Sequence, residues 1–172
     1  MFIALLRWRR INGSWLVRMA EPYIELHARS ALSFLRGASQ PEDLVRQAAA
    51  LGMPALGICD RDGVYGSARA QYATRELASE FQAIVGGELT MEDESVVTLL
   101  AETRSGYQNL CRLITRAKLR ALKNESRVLW SELEEDVEGL VCLTGDEEGP
   151  IRKALALLLR SRQSLASRRD RR

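Results

Sequence analysis

The sequence is poor in the residues that build metal sites and disulfide frameworks. Its 172 residues include a single histidine, His27, and three cysteines that stand far apart, Cys59, Cys111 and Cys142. No two of the cysteines form a Cys-x-x-Cys pair, which excludes a disulfide framework and a cysteine-rich zinc site. The pattern favours buried thiols in a reducing compartment. No apolar run approaches the ~20 residues of a membrane helix. The first ten residues place their charges after the apolar run, the wrong order for a secretory signal, so we expect a cytoplasmic protein.

Acidic residues are almost missing from both ends of the chain. Residues 1–18 carry four arginines and no acid, and residues 160–172 carry six arginines and one aspartate. Residues 19–159 hold 15 basic and 22 acidic residues, a net charge of −7, although the whole chain is at +2. An acidic body matches the phosphate backbone of nucleic acids poorly. The basic tail predicts nucleic-acid contact or, as we favour, a solvated disordered end.

The patterned part of the chain begins near Met19. Residues 1–18 show no helix caps and no clear period, so we predict a non-native or disordered extension there. Residues 160–172 are predicted to be a basic disordered tail. Residues 19–159 are long enough to bury one sizeable core and are predicted to form a single domain.

Short apolar segments alternate with amphipathic segments in this domain. A loop is predicted at 60–63. Helix caps are predicted at Ser105 and, as capping boxes, at Ser39 with Glu42 and at Ser131 with Glu134. The apolar stripe of the helix over 105–122 comprises Leu110, Leu113, Ile114 and Ala117. Strands are predicted over 23–27, 54–59, 81–90, 96–101 and 139–144, and helices over 39–52, 66–80, 105–122 and from about residue 150. This order predicts an α/β fold in which parallel strands are covered by helices.

Polar residues stand where several predicted strands end. His27, Asp60, Glu88 and Asp146 follow or end four different strands. The carboxyl ends of parallel strands meet at one edge, so these groups would share one basin. Polar residues after strands are also ordinary loop residues, and that interpretation stays open. A strand ending in His-x-His would supply half a metal site, but here Arg29 follows His27 at that spacing.

Four stretches within about residues 22–151 share their order with one known domain. They read YIELHARSALSFLRGASQPEDLVRQAAALGMPALGICDRDGVYG, IVGGELT, LLAETRSGYQNLCRLITRAKL and EGLVCLTGDEEGP. Together they resemble the polymerase-and-histidinol-phosphatase (PHP) domain at the front of bacterial C-family DNA polymerases. The likeness is closest to the error-prone branch of the DNA polymerase III alpha subunit. Residues 1–18 and those beyond about 155 show no such likeness.

The resemblance implies a distorted (β/α)7 barrel. In intact members a cluster of His, Asp, Glu and Cys ligands binds two or three metal ions. In some replicative members this site supports a 3′–5′ exonuclease, which follows the logic of two-metal phosphoester hydrolysis. Because the family barrel continues past residue 172, we expect an incomplete barrel with open edges, as a truncated or frameshifted reading frame would produce.

Several ligand positions of the family hold residues that cannot bind a metal. His27 stands at the first position and Glu88 matches the expected glutamate. Arg29, Arg36 and Arg61 stand where metal-binding members have histidine, aspartate and histidine. Arginine stays protonated and has no lone pair to donate to a metal. The resemblance therefore predicts a degenerate site with no catalytic residue and no bound cofactor.

Fixed cationic charge would take the place of metal charge in this site. The arginines could pair with Asp60, Asp62 or Glu88 through charge-assisted hydrogen bonds. Asp146 lies near the place of a cysteine that is missing after LTG. His27 is favoured as a structural histidine, with His27 and Glu88 as the residual metal candidates. The predicted basin comprises His27, Arg29, Arg36, Asp60, Arg61, Asp62 and Glu88.

Three functions are compatible with these patterns. The favoured one is a structural, non-hydrolytic PHP domain of an error-prone DNA polymerase that acts in DNA replication, repair and damage tolerance by translesion synthesis. The resemblance then implies that palm, fingers and thumb domains are its partners and bind DNA, that the palm uses Mg²⁺ for nucleotidyl transfer, and that repair-polymerase proteins are further partners. The alternatives are a metal-dependent phosphoesterase or 3′–5′ exonuclease, and a non-catalytic docking module that uses the charged segment 118–138. A solvated linker explains that segment as well.

Overall fold

The computed structural model describes residues 8–11, 14–17, 23–77, 80–123 and 125–169. Seven strands and five helices lie in this part of the chain. The strands are β1 (Trp8–Ile11), β2 (Ser14–Val17), β3 (Glu25–Ala28), β4 (Ala55–Arg61), β5 (Gln82–Thr90), β6 (Val96–Ala101) and β7 (Leu140–Leu143). The helices are α1 (Pro41–Ala50), α2 (Ser67–Thr74), α3 (Arg104–Arg120), α4 (Trp130–Glu135) and α5 (Pro150–Arg169).

The main sheet has five strands in the order β3-β4-β5-β6-β7. The first three strands are parallel, and β6 runs antiparallel to both β5 and β7. The four strands β3, β4, β5 and β7 therefore run in one direction, as predicted for parallel strands covered by helices, and β6 is the antiparallel strand among them. Only residues 91–95 connect β5 to β6, and so short a connection joins antiparallel neighbours, whereas a parallel crossover needs a dozen or more residues.

The five-stranded sheet is strongly curled. A flat sheet would hold β3 and β7 about 19 Å apart, since neighbouring strands are about 4.8 Å apart. Nevertheless Arg29, next to the end of β3, donates from Nη2 to Oδ2 of Asp146, just beyond β7, over 2.6 Å. Within the described residues, β3 and β7 do not pair with each other, so the sheet is an open half-barrel. Side chains from its two edge strands nevertheless meet at the carboxyl ends of the strands.

Two apolar cores lie between the sheet and its helices. The first packs α1 and α2 on β4 and β5, with Val45, Ile58 and Ala70 at its centre. The second packs α3 on β5 and β6, and it contains Leu110, Leu113 and Ala117 fully buried, with Ile114 partly buried against them. The predicted stripe of α3 is confirmed.

The helices begin at residues other than those predicted. Gln40 is the N-cap of α1 and makes no side-chain cap bond, so the capping box of Ser39 and Glu42 is absent. Pro41 occupies the first turn of α1, where its missing N–H costs no hydrogen bond and its fixed φ suits the helix. The sequence pattern predicted the position of this helix correctly but not its N-cap residue.

The caps of α3 and α4 also differ from the prediction. Thr103, not Ser105, caps α3, with its hydroxyl accepting from the Gly106 amide over 3.0 Å. At α4, Glu132 accepts from the amide of Leu129 over 3.1 Å, so the box predicted at 131–134 is absent. Each helix begins one or two residues before the predicted cap, and the predicted serines fall inside the first turn.

Two predicted boundaries inside the domain also shift. Strand β4 continues through Asp60 and Arg61, which were predicted to begin a loop, because Arg61 still pairs with Glu88 of β5. Helix α2 ends at Thr74 and not at residue 80, and residues 78–79 of the predicted helix lie outside the described part.

The cysteines differ in burial. All three are free, and Cys59 is buried on β4, where burial raises the pKa of its thiol to about 12. Cys111 is partly buried and Cys142 is exposed, so the prediction of buried thiols holds only for Cys59. Cys142 lies on β7, which is an edge strand of the five-stranded sheet.

The two ends of the chain are more regular than predicted. Strands β1 and β2 pair antiparallel in a sheet of their own, with Trp8 opposite Val17, and the rest of the segment 1–18 lies outside the described residues. That this segment is an extension stays a prediction. Helix α5 continues to Arg169, which corrects the predicted disorder of 160–169; its Ala, Leu and Arg residues have high helix propensity. No helix in the described ranges is long and apolar enough to cross a membrane.

The segment 118–138, predicted to be a docking surface or a solvated linker, is partly built into the fold. Val128 within it is fully buried in the second core. Helix α4 is tied to α3 through Asp136, which accepts from Arg112 over 2.6 Å and from Arg116 over 2.9 Å. Packing and ion pairs within the domain therefore explain the position of much of this segment.

The contact between α3 and the start of β7 leaves no room for a side chain at Gly106. A Cβ there would overlap the carbonyl oxygen of Gly139, a residue held at a φ of 71°. We expect Gly106→Ala to lower the free energy of unfolding by about 2–3 kcal/mol, as overpacking does. Urea denaturation measures the loss. Gly87→Ala is the control, since its added Cβ would find its nearest atom at 3.4 Å. Equal losses in both variants would contradict the proposed overlap.

Candidate functional site

The buried carboxylate of Glu88 is the centre of the candidate site. Glu88 lies near the carboxyl end of β5 and its side chain is 0% exposed. His27 Nε2 and Arg29 Nε both contact its Oε1, and Arg61 Nε donates to its Oε2 over 2.8 Å. We refer to these four residues, His27, Arg29, Arg61 and Glu88, as the Glu88 cluster.

The sheet brings the Glu88 cluster together. His27 is on β3 and Arg29 directly follows that strand, whereas Arg61 ends β4 and pairs in register with Glu88 of β5. Because these strands are parallel, their carboxyl ends lie side by side. Thr98 of β6, opposite Glu88 in the antiparallel ladder, places its hydroxyl oxygen 3.3 Å from His27 Nε2.

Two more carboxylates reach the cluster from the loop between β7 and α5. Asp146 accepts from Arg29 over 2.6 Å. Glu148 accepts from Arg61 over 2.6 Å and from Arg36 over 2.8 Å. Arg36 thus reaches the site through Glu148 and not through Glu88.

Opposite charges balance in this arrangement. The guanidinium groups of Arg29, Arg36 and Arg61 face the carboxylates of Glu88, Asp146 and Glu148. Burial by itself would raise the pKa of Glu88, but hydrogen bonds from His27 and Arg29 and the charge of Arg61 hold it below its ordinary value.

The pKa values of four neighbouring charged groups are also shifted in favour of the ionised forms. Burial opposes the charged forms of Arg29 and Arg61, yet their carboxylate partners raise the pKa of both. The pKa values of Asp146 and Glu148 lie below their ordinary values, because bonds to the loop backbone and to the arginines outweigh burial. These shifts favour the ionised forms of Arg29, Arg61, Asp146 and Glu148.

Of the three carboxylates predicted as possible partners of the arginines, Glu88 is paired with them, whereas Asp60 and Asp62 bond elsewhere. Asp60 is fully buried and accepts from Ser30, Ser33 and Gly66. Asp62 accepts from the amide and hydroxyl of Thr90 over 2.8 and 2.9 Å. Neither forms an ion pair within the described ranges, because nearer donors of the loops satisfy both carboxylates.

A metal ion does not fit the residues present. Donor atoms of His27, Glu88 and Asp146 lie within 4.8 Å of one another, a spacing that suits a shared ion. Both oxygens of Glu88 are already bonded to guanidinium groups, and Asp146 also faces Arg29. A cation would have to displace these arginines or share their partners against repulsion from fixed positive charge.

Sequence reasoning missed Glu148, Ser30, Ser33 and Thr98. The run Asp146-Glu147-Glu148 directly after a strand was a signal for acidic residues at the site. The serines and the threonine gave no signal, because such residues are common in loops and strands of any function.

Sequence comparisons match this chain to known proteins. The family model "PHP domain" matches residues 25–171, which extends the likeness past residue 155. An error-prone DNA polymerase of Pseudomonas aeruginosa is 44% identical over 141 residues, or 79% of this chain and 13% of that protein. One of Bdellovibrio bacteriovorus is 36% identical over 133 residues, or 72% of this chain and 12% of that protein.

Solved structures give a weaker likeness. A Bifidobacterium adolescentis protein described as a metal-dependent phosphoesterase matches 58% of this chain and 35% of its own, with 23% identity and a TM-score of 0.40. The chain spans about an eighth of the length of the curated relatives it matches. By the family match over most of its length, the chain belongs to the PHP-domain family.

Proposed function

We propose that this chain is a structural, non-hydrolytic PHP domain of an error-prone DNA polymerase. The observation that carries the proposal is the occupation of Glu88: guanidinium groups bond both oxygens of the glutamate that stands at the family's metal position. The identity to error-prone DNA polymerases supports the choice of parent protein. In this role the arginines replace metal ions as the cations that hold the carboxyl edge of the sheet.

The parent protein would carry the chemistry elsewhere. We propose that it acts in the cytoplasm in DNA repair and damage tolerance, adding nucleotides to a DNA 3′ end. Carboxylate-held Mg²⁺ in a palm domain would perform that transfer. Palm, fingers and thumb domains would be the partners of this domain and would contact DNA.

The purified chain is expected to bind no stoichiometric Zn²⁺ or Mn²⁺. The arginines already compensate the charge of Glu88, so a divalent ion gains little and meets fixed repulsion. Elemental analysis after dialysis against each metal, together with hydrolysis of bis(p-nitrophenyl) phosphate, tests this. One or more tightly held ions per chain would contradict it.

A metal-dependent phosphoesterase is the second candidate. The observation in its favour is the convergence of His27, Glu88 and Asp146 within ligand distance of one ion. Metal-dependent phosphoester hydrolysis that disappears in Glu88→Gln would establish it. If the chain neither binds metal nor hydrolyses phosphoesters, the result supports the structural role.

A further inference from the structure

The loop between β7 and α5, residues 144–149, is held by arginines that belong to other parts of the chain. Its Asp146 accepts from Arg29, and its Glu148 accepts from both Arg36 and Arg61. These arginines come from the end of β3, from the loop after β3 and from the end of β4. Three distant cations thus converge on two carboxylates of one short loop.

Two hydrogen bonds between described residues also join this loop and the start of α5 to the rest of the fold. The Glu148 carbonyl accepts from the Val96 amide over 3.0 Å, and Lys153 Nζ donates to the Asp93 carbonyl over 3.3 Å. Ile151, Leu155, Leu157 and Leu159 of α5 are each more than half exposed. Neither apolar core includes any of residues 150–159, the part of α5 whose side chains the structure describes. Burial therefore contributes little to the position of the loop and of the start of α5.

The ion pairs divide into an inner and an outer set. The inner set surrounds Glu88, which is fully buried and shielded from dissolved ions. The outer set joins the arginines to Asp146 and Glu148, which are 38% and 41% exposed. Salt screens exposed pairs far more than buried ones, so the outer set should weaken first.

We propose that Arg29, Arg36 and Arg61 form a salt-sensitive latch that holds residues 144–149, and with them the start of α5, against the carboxyl edge of the sheet. When the outer pairs are screened or removed, the loop detaches while the sheet and the inner pairs stay intact. The latch concerns how the loop is held, which does not depend on the protein that the domain is part of, so it goes beyond the proposed function.

Hydrogen–deuterium exchange of the whole chain, resolved by mass spectrometry, tests the latch. In Asp146→Asn/Glu148→Gln, amide exchange over 144–153 and at Val96 is expected to rise about tenfold, the combined effect of several partly exposed pairs. The parent chain in 1 M NaCl should show the same local rise, and this needs no variant to fold. Exchange in β4 and β5 should not change in either case.

Glu76→Gln is the matched control, since Glu76 pairs with Arg46 of α1 over 3.1 Å and with no residue of the loop 144–149 in the ion pairs described. It should leave exchange over 144–153 unchanged. Unaltered exchange in both the double variant and high salt would overturn the latch. A rise that spreads equally over β4 and β5 would overturn it as well, because the ion pairs would then support the whole sheet and not one loop.

Discussion

Asp60→Asn is expected to lower the free energy of unfolding by about 3 kcal/mol, although it changes the shape of the side chain very little. Asp60 Oδ1 accepts from the amide and hydroxyl of Ser30 and from the hydroxyl of Ser33, and Oδ2 accepts from the Gly66 amide over 2.7 Å. An amide NH₂ in place of either oxygen would face a donor. Buried donors without acceptors cost about 1–3 kcal/mol each.

Asp62→Asn is the control for this experiment. Asp62 accepts from the Thr90 amide and from the Thr90 hydroxyl, and a hydroxyl can turn to accept from the new NH₂. The loss in free energy of unfolding, measured in urea, should therefore stay below about 1 kcal/mol. If Asp60→Asn cost no more than Asp62→Asn, the network around Asp60 would not be what holds the loop after β3 to the start of α2.

The combined substitution Arg29→His/Arg36→Asp/Arg61→His is expected to bind Zn²⁺ at least about a hundredfold more tightly than the parent chain. It removes two guanidinium groups that contact Glu88 and adds three donors to His27 and Glu88. Removing the fixed positive charges together relieves their repulsion of a divalent ion, and the added donors complete its coordination. Isothermal titration with Zn²⁺ measures the change.

Each single substitution should do little, because one new donor still faces the remaining fixed charges. Arg46→His adds a histidine on α1, away from the site, and controls for surface binding. No gain in the triple variant would contradict the view that the arginines alone exclude metal from this site. The membership of the PHP-domain family would stand in that case, because it rests on the sequence match.

Much of the fold followed from local sequence. Apolar segments such as 54–59 and 96–101 predicted strands because their residues suit a buried sheet, and the spacing of Leu110, Leu113 and Ala117 predicted one buried face of a helix. The exact first residues of the helices did not follow, because several neighbouring side chains can cap and only the backbone path selects one. The length of α5 was missed because a basic composition was taken for disorder.

The sequence by itself determined the alternation of strands and helices, and the family resemblance predicted arginines where metal ligands stand. Only the tertiary structure decided how those arginines are used. Arg36 and Glu148 are 112 positions apart, and Arg29 and Asp146 are 117 apart, so no local pattern predicts their pairing. The antiparallel β6 and the curl of the sheet bring them together, and the nearer serines and threonine satisfy Asp60 and Asp62 instead. Which charges meet depends on where the sheet brings distant segments, and short-range periodicity carries no information about that.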